Sequence, residues 1–172
     1  NGTYQSKKDE FLSYNFGFRN YYVMLNNQIA YWLFNKANVW RVVVGKGDFL
    51  YESHYIESYF GDNFIGKKAI ENRLDKLKDL QHLLSERGIF LDLILAPGKA
   101  SFYPEFIPDN YKSIKKLSNY DYTAEYSKKI KLNFMDFNDW FLKLKPITPY
   151  DLFPKTGIHR SNYKSILEID SI

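Results

Sequence analysis

One long leucine-spaced segment stands between two short apolar runs, and this order restricts the fold more than any other feature of the chain. Ile70, Leu74, Leu77, Leu80, Leu83 and Leu84 recur at helical spacing, which predicts an amphipathic helix from about Lys67 to Arg87. Gly88 follows and suits the left-handed residue that ends a helix. Before it lies the β-branched run Val39 to Val44, then Gly45-Lys46-Gly47 and a short strand at Phe49 to Tyr51. After it comes Ile89 to Leu95, closed by Ala96-Pro97-Gly98. Strand, helix and strand in this order predict a parallel pair with a right-handed crossover.

The rest of the chain extends the pattern. Asn20 to Phe34 reads as an amphipathic helix, with Asn20 placed to cap it. Asn1 to Glu10 is polar and reads as loose. Lys99 to Tyr120 reads as mostly irregular, and Thr123 to Lys131 as helix. Leu132 to Met135 reads as a third core strand with Asp136 at its carboxyl end, and Asn138 to Leu144 as a short helix. Pro146 to Gly157 is a loop, and helical character resumes at Ser161. The expectation is an α/β protein, a three-layer sandwich with a mostly parallel sheet. It forms a single domain over 1–172, with 1–36 as an amino-terminal extension and helix and 37–172 as sheet and helices. Ligands of such sheets sit beyond the carboxyl ends of the strands. Pro97 to Tyr103, Asp136 to Trp140 and the loop before the last helix should therefore converge.

Composition narrows the function classes. In 172 residues, 45% are hydrophobic and 26% charged, which excludes a disordered tail or a fibrous repeat. Aromatic residues reach 19%, with 15 Tyr, apolar in body and polar at the tip. The net charge of +4 is spread along the chain, so no basic face for nucleic acid emerges. There is no cysteine, which removes disulfides, thiolate metal sites and thiol nucleophiles. No apolar run approaches the roughly 20 residues of a membrane-spanning helix. The chain begins at Asn1, as a processed form would.

Three histidines are present. His82 falls off the apolar stripe of the long helix, and His54 lies in a charged aromatic stretch; both read as structural or exposed. His159 lies at a loop-to-helix junction, where proton transfer near neutral pH is available to an imidazole. Lys99, directly after Pro97-Gly98, can hold an anionic group or a developing oxyanion, or simply stand on a tight turn. Asp136 can orient a histidine or cap the turn that follows. Gly45-Lys46-Gly47 lacks the remainder of a phosphate loop and reads as a hairpin turn. There is no G-x-S-x-G elbow and no Gly-Asp-Ser triplet, although Asp170-Ser171 occurs at the end. No cofactor or metal is indicated.

Four segments carry a family likeness: Phe16-Gly17-Phe18-Arg19, Val43 to Tyr51, Leu95-Ala96-Pro97-Gly98-Lys99-Ala100-Ser101-Phe102-Tyr103-Pro104-Glu105, and Leu152 to Tyr163 with Gly157-Ile158-His159-Arg160 at its centre. In this order the chain resembles the SGNH-hydrolase-like domain of alginate-type polysaccharide O-acetyltransferases and their DHHW-like relatives. The resemblance implies that His159 is the catalytic base of an acyl transfer to sugar hydroxyls. Candidate substrate contacts are Lys99, Tyr103, Arg160, Ser161 and Tyr163, and Asp136 or a residue beyond Ile172 is the candidate substitute for the orienting carboxylate. The resemblance also implies a polysaccharide or oligosaccharide substrate, an acyl-donor membrane protein as partner, and a place in the periplasm or cell envelope. The family's Asp-x-His-Trp setting is altered here to Gly157-Ile158-His159-Arg160. The family's serine block follows the histidine segment, and this sequence holds none. The chain is thus expected to be an amino-terminal portion, or a relative without its nucleophile. A carbohydrate-binding or envelope assembly module without chemistry is the alternative.

Overall fold

The computed structural model describes residues 2–170 and divides into two compact units, Asn1–Trp40 and Arg41–Ile172. The first unit contains two helices, α1 (Thr3–Asn15) and α2 (Arg19–Phe34). The expectation of a loose start is corrected over most of its length. No Gly or Pro interrupts Thr3 to Asn15, and the Ser6 hydroxyl donates to the Gly2 carbonyl at 2.9 Å, so the segment winds into a helix without burying a residue. Helix α2 covers the expected span, but Asn20 does not cap it. Phe18 occupies the cap in a left-handed conformation, and no side chain bonds there. At the other end Asn35 is left-handed and donates its N–H to the Tyr31 carbonyl.

The second unit opens with a hairpin. Strands β1 (Val42–Val44) and β2 (Leu50–Glu52) pair antiparallel, with Val43 opposite Tyr51. A turn from Gly45 to Phe49 joins them, closed by the Gly45 N–H on the Phe49 carbonyl at 2.7 Å. Only glycine fits at 45, where a Cβ would lie 2.5 Å from the Phe106 carbonyl oxygen and 2.7 Å from the Tyr51 ring. Helices α3 (Ser53–Phe60) and α4 (Lys67–Ser85) follow. Helix α4 stops as expected, with Gly88 left-handed and the Ile89 N–H on the Leu84 carbonyl.

Strand β3 (Leu93–Leu95) pairs in parallel with β4 (Phe134–Asp136). Between them run α5 (Lys99–Phe102), two short 3₁₀ turns and α6 (Asn119–Lys129). A reciprocal capping box between Ser118 and Asp121 starts α6. Helix α7 (Phe137–Leu144) follows β4 directly, and α8 (Asn162–Ile169) closes the described chain.

The α/β class stands, but the sheet departs from expectation. Two separate two-stranded pairs take the place of one mostly parallel sheet. The five-residue turn lets β1 and β2 satisfy each other locally, so β3 finds its parallel partner in β4 rather than in the strands before α4. Helices still cover both sides of the β3–β4 pair. Leu93 packs with Ile70 and Leu74 of α4 and Tyr122 of α6, whereas Met135 packs with Phe102, Phe137 and Phe141 of α5 and α7. A third cluster, Val43, Tyr51, Ile56, Phe60, Ala100 and Ile107, fills the space under the hairpin. Buried Gln81 ties α4 to both strand entrances. Its amide donates to the Leu91 and Asn133 carbonyls at 2.9 and 2.8 Å, and its carbonyl accepts the Asn133 N–H at 3.0 Å. No helix among the described residues is long and apolar enough to cross a membrane.

Candidate functional site

The carboxyl ends of β3 and β4 open onto two neighbouring hollows in the second unit. One, of about 360 Å³, is lined by Tyr55, Ala96 to Lys99, Phe153, Ile158, His159, Arg160 and Lys164. The other, of about 540 Å³, shares Tyr55 and Ala96 to Gly98 and continues past Ser101, Tyr120 and Asn138. The Ala96-Pro97-Gly98 turn forms a wall common to both.

His159 stands exposed on the rim of the smaller hollow, beside exposed Arg160. Its ring has no hydrogen bond or ion pair among the described residues, so no carboxylate orients it there. Gly157 packs tightly: a Cβ at that position would lie 2.8 Å from Cγ of Pro154. An aspartate at 157 would first have to displace the Pro154 ring.

Lys99 reaches the same region from below. It is fully buried, and its ammonium donates to the carbonyls of Pro154, Lys155 and Gly157 at 2.6, 3.0 and 2.8 Å. The rings of Phe49 and Tyr51 stand 5.3 and 5.5 Å from Nζ. Burial pushes its pKa down to about 8, and Asp151 pulls the other way. With three donors on three carbonyls, the ammonium faces protein rather than an open anion site.

The other expected contacts are engaged elsewhere. Asp136 accepts the Asp139 N–H at 3.0 Å, capping α7, and the Tyr120 hydroxyl at 2.9 Å. That is the capping alternative, because its strand runs directly into a helix whose first N–H groups need an acceptor. Ser161 starts α8: its hydroxyl accepts the Lys164 N–H at 3.2 Å and donates to the Leu152 carbonyl at 3.1 Å. Tyr163 pairs edge-on with Tyr150, their centroids 5.1 Å apart, and packs on the Phe141–Phe153 cluster. Tyr103 lies among Phe49, Phe102 and Phe106, and its carbonyl accepts the Tyr51 hydroxyl at 2.6 Å. Aromatic burial, not the cleft, therefore places both tyrosines. His82 is exposed on α4, and His54 bonds Arg41 and lies 3.8 Å from Glu52 and Glu57. Ser171 of the Asp170-Ser171 dipeptide lies outside the described residues.

Three lining residues escaped the sequence reading. Tyr55 borders both hollows from α3, against the Gly98 backbone. Asn138 is buried in the first turn of α7, and its Oδ1 has no hydrogen-bond partner among the described residues. Beside it, burial foremost, with Asp136 adding, pushes the Tyr120 phenol up to about 12, against a hydrogen bond from Asn138. Lys164 is buried beneath the cleft, its ammonium 4.0 Å from the Phe153 ring centroid. A lysine on the apolar side of a short helix was the available signal for it. Among the described residues, no group of three or more His, Cys, Asp or Glu side chains could hold a metal ion.

Residues 42–162 match the family model of the SGNH hydrolase-like domain of the acetyltransferase AlgX. The chain belongs to this family. No curated protein and no solved structure matches it. The matched span runs from the first residue of β1 to the first residue of α8, so it takes in both strand pairs and the lining of both hollows except Lys164. The AlgX-type SGNH domain accounts for the second unit from its first strand to the start of α8, whereas α1 and α2 lie before the matched span.

Proposed function

We propose that the hollow beneath His159 is the histidine side of an acyl-transfer site that moves an acetyl group onto a polysaccharide hydroxyl outside the cytoplasm. One observation carries this reading: an exposed imidazole stands at the mouth of an open cleft, at the carboxyl end of a core strand, in a chain of the AlgX family. In the reaction, a serine hydroxyl attacks the acetyl carbonyl of the donor while His159 accepts its proton. The donor alcohol leaves with that proton. A sugar hydroxyl then attacks the acyl-serine, passes its proton to the imidazole, and serine is regenerated. The sequence holds no Gly-Asp-Ser triplet, so we assign the serine to a block that these 172 residues do not carry. Lys99 and Asp136, committed to carbonyls and to a helix start, act as supports of the site and not as substrate contacts.

Acetyl-ester hydrolysis by the 172-residue chain, alongside His159→Ala and an equal concentration of free imidazole, tests the missing nucleophile. The wild-type chain should be no faster than the variant. Turnover above both controls, abolished by His159→Ala, would show that the nucleophile lies within the chain. Titration with acetylated oligosaccharides at millimolar concentration tests the cleft. Resonances of Gly98 and His159 should shift, and their silence would refute the site.

A binding module without chemistry is the second reading. The unoriented His159 ring and Gly157 at the family's aspartate position favour it. It predicts the same titration shifts but no acetyl transfer when a serine-bearing longer form of the protein is assayed.

A further inference from the structure

We propose that Lys99 is the positioning residue of the His159 loop: its buried ammonium clamps the carbonyls of Pro154, Lys155 and Gly157 and so fixes where the imidazole stands at the cleft. The clamp rests on the structure. That it serves chemistry rests on the function proposed above.

The loop needs such a device. From Lys145 to Ser161 it contains no helix or strand, so its carbonyls have no regular partners. At its base the Ser161 N–H donates to the Leu152 carbonyl at 3.0 Å, and at its middle the Leu50 N–H donates to the Lys155 carbonyl at 2.9 Å. Around the second tie the carbonyls of Pro154, Lys155 and Gly157, that of Lys155 shared with the Leu50 N–H, turn inward onto one point. Carbonyls only accept, and a single side chain can satisfy three at once only with three donors. A lysine ammonium offers them from one atom. The Phe49 and Tyr51 rings turn their faces to the same charge, which offsets part of the loss of water.

Position 99 also decides what the clamp is tied to. Lys99 opens α5 directly after the Ala96-Pro97-Gly98 wall, at the end of β3. The ammonium thus joins that wall, the hairpin through Phe49 and Tyr51, and the loop that carries His159 two residues after Gly157. Movement of residues 154–157 would move the imidazole relative to the wall it faces.

The test compares the wild-type chain with Lys99→Met, which keeps the length and removes the donors, and with Lys99→Arg, which keeps donors. Amide hydrogen exchange of Leu50 and Ser161, whose N–H groups donate to the Lys155 and Leu152 carbonyls of the loop, should rise at least about tenfold in Lys99→Met relative to the amides of β3 and β4, and recover in part in Lys99→Arg. The His159 ring resonance should move toward that of a free imidazole, with exposed His82 as internal reference. Unchanged exchange and an unchanged His159 signal in Lys99→Met would overturn the clamp. Should Lys99→Met fail to fold, the wild-type protein decides: a clamped ammonium gives a slowly exchanging Nζ–H resonance below its pKa, and exchange as fast as that of a surface lysine overturns the proposal. The two readings part cleanly. If His159→Ala leaves acetyl transfer by a serine-bearing form intact, the histidine role fails while the clamp stands. If Lys99→Met leaves the loop unmoved, the clamp fails while the histidine role stands.

Discussion

Replacing Gln81 by methionine removes one buried amide and unties α4 from both strands that lead to the site. Three hydrogen bonds are lost, from Nε2 to the Leu91 and Asn133 carbonyls and from the Asn133 N–H to Oε1. Each such bond contributes about 0.5–1.5 kcal/mol net, and a buried group left without a partner costs about 1–3 kcal/mol. Gln81 is only 4% exposed, so water does not readily replace the lost partners, but residue Asn133 is itself exposed and part of its loss is recovered. Methionine keeps the volume and gains apolar burial. The balance is a destabilisation of about 2–3 kcal/mol. Urea unfolding followed by far-ultraviolet circular dichroism measures it. With a slope of about 2 kcal/mol per molar urea, the midpoint should fall by about 1–1.5 M. Leu80→Ala, on the exposed side of the same helix, should stay within about 0.5 kcal/mol of wild type. A Gln81→Met midpoint no lower than that of Leu80→Ala would refute the claim that this amide holds the strand pair in place.

Two further outcomes follow from the hairpin and its surroundings. Gly45→Ala forces a methyl against the Phe106 carbonyl and the Tyr51 ring, and overpacking of this kind costs about 1–3 kcal/mol, read as a lower thermal midpoint; an unchanged midpoint contradicts the tight turn. Hydrogen bonds from Lys46, then Lys112, hold the Asp109 carboxyl down to about 2, below its ordinary value of 3.8. The unfolded chain therefore binds the proton first, so the contribution of this carboxylate is complete above pH 3.8 and is lost as pH falls toward 2. Asp109→Asn should flatten that part of the acid unfolding profile at low ionic strength, and superimposable profiles would contradict it.

Local order was legible in the chain. Helix α4 is written in the spacing of Ile70, Leu74 and Leu77, and its stop in Gly88, because periodicity and a left-handed cap are properties of a few adjacent residues. The Gly45 turn was likewise visible as punctuation after a β-branched run. The segments that should meet beyond the strands were also apparent, since Pro97-Gly98 and His159 do share a cleft. The polar start of the chain misled, because a helix with no buried face leaves no apolar stripe to read.

What the sequence determined by itself was the order of elements, the AlgX-type pattern of segments, and a histidine set at the end of a loop. Tertiary structure alone decided partners. It gave β3 to β4 and left β1 with β2, because a five-residue turn closes a hairpin before any distant strand can compete. It turned Lys99 inward, because the carbonyls of Pro154, Lys155 and Gly157 converge within reach of its Nζ. It drew Tyr103, Ser161, Tyr163 and Asp136 into packing and capping. A side chain's chemistry is fixed by its type, but what it acts on is fixed by which backbone groups folding leaves in need of a partner.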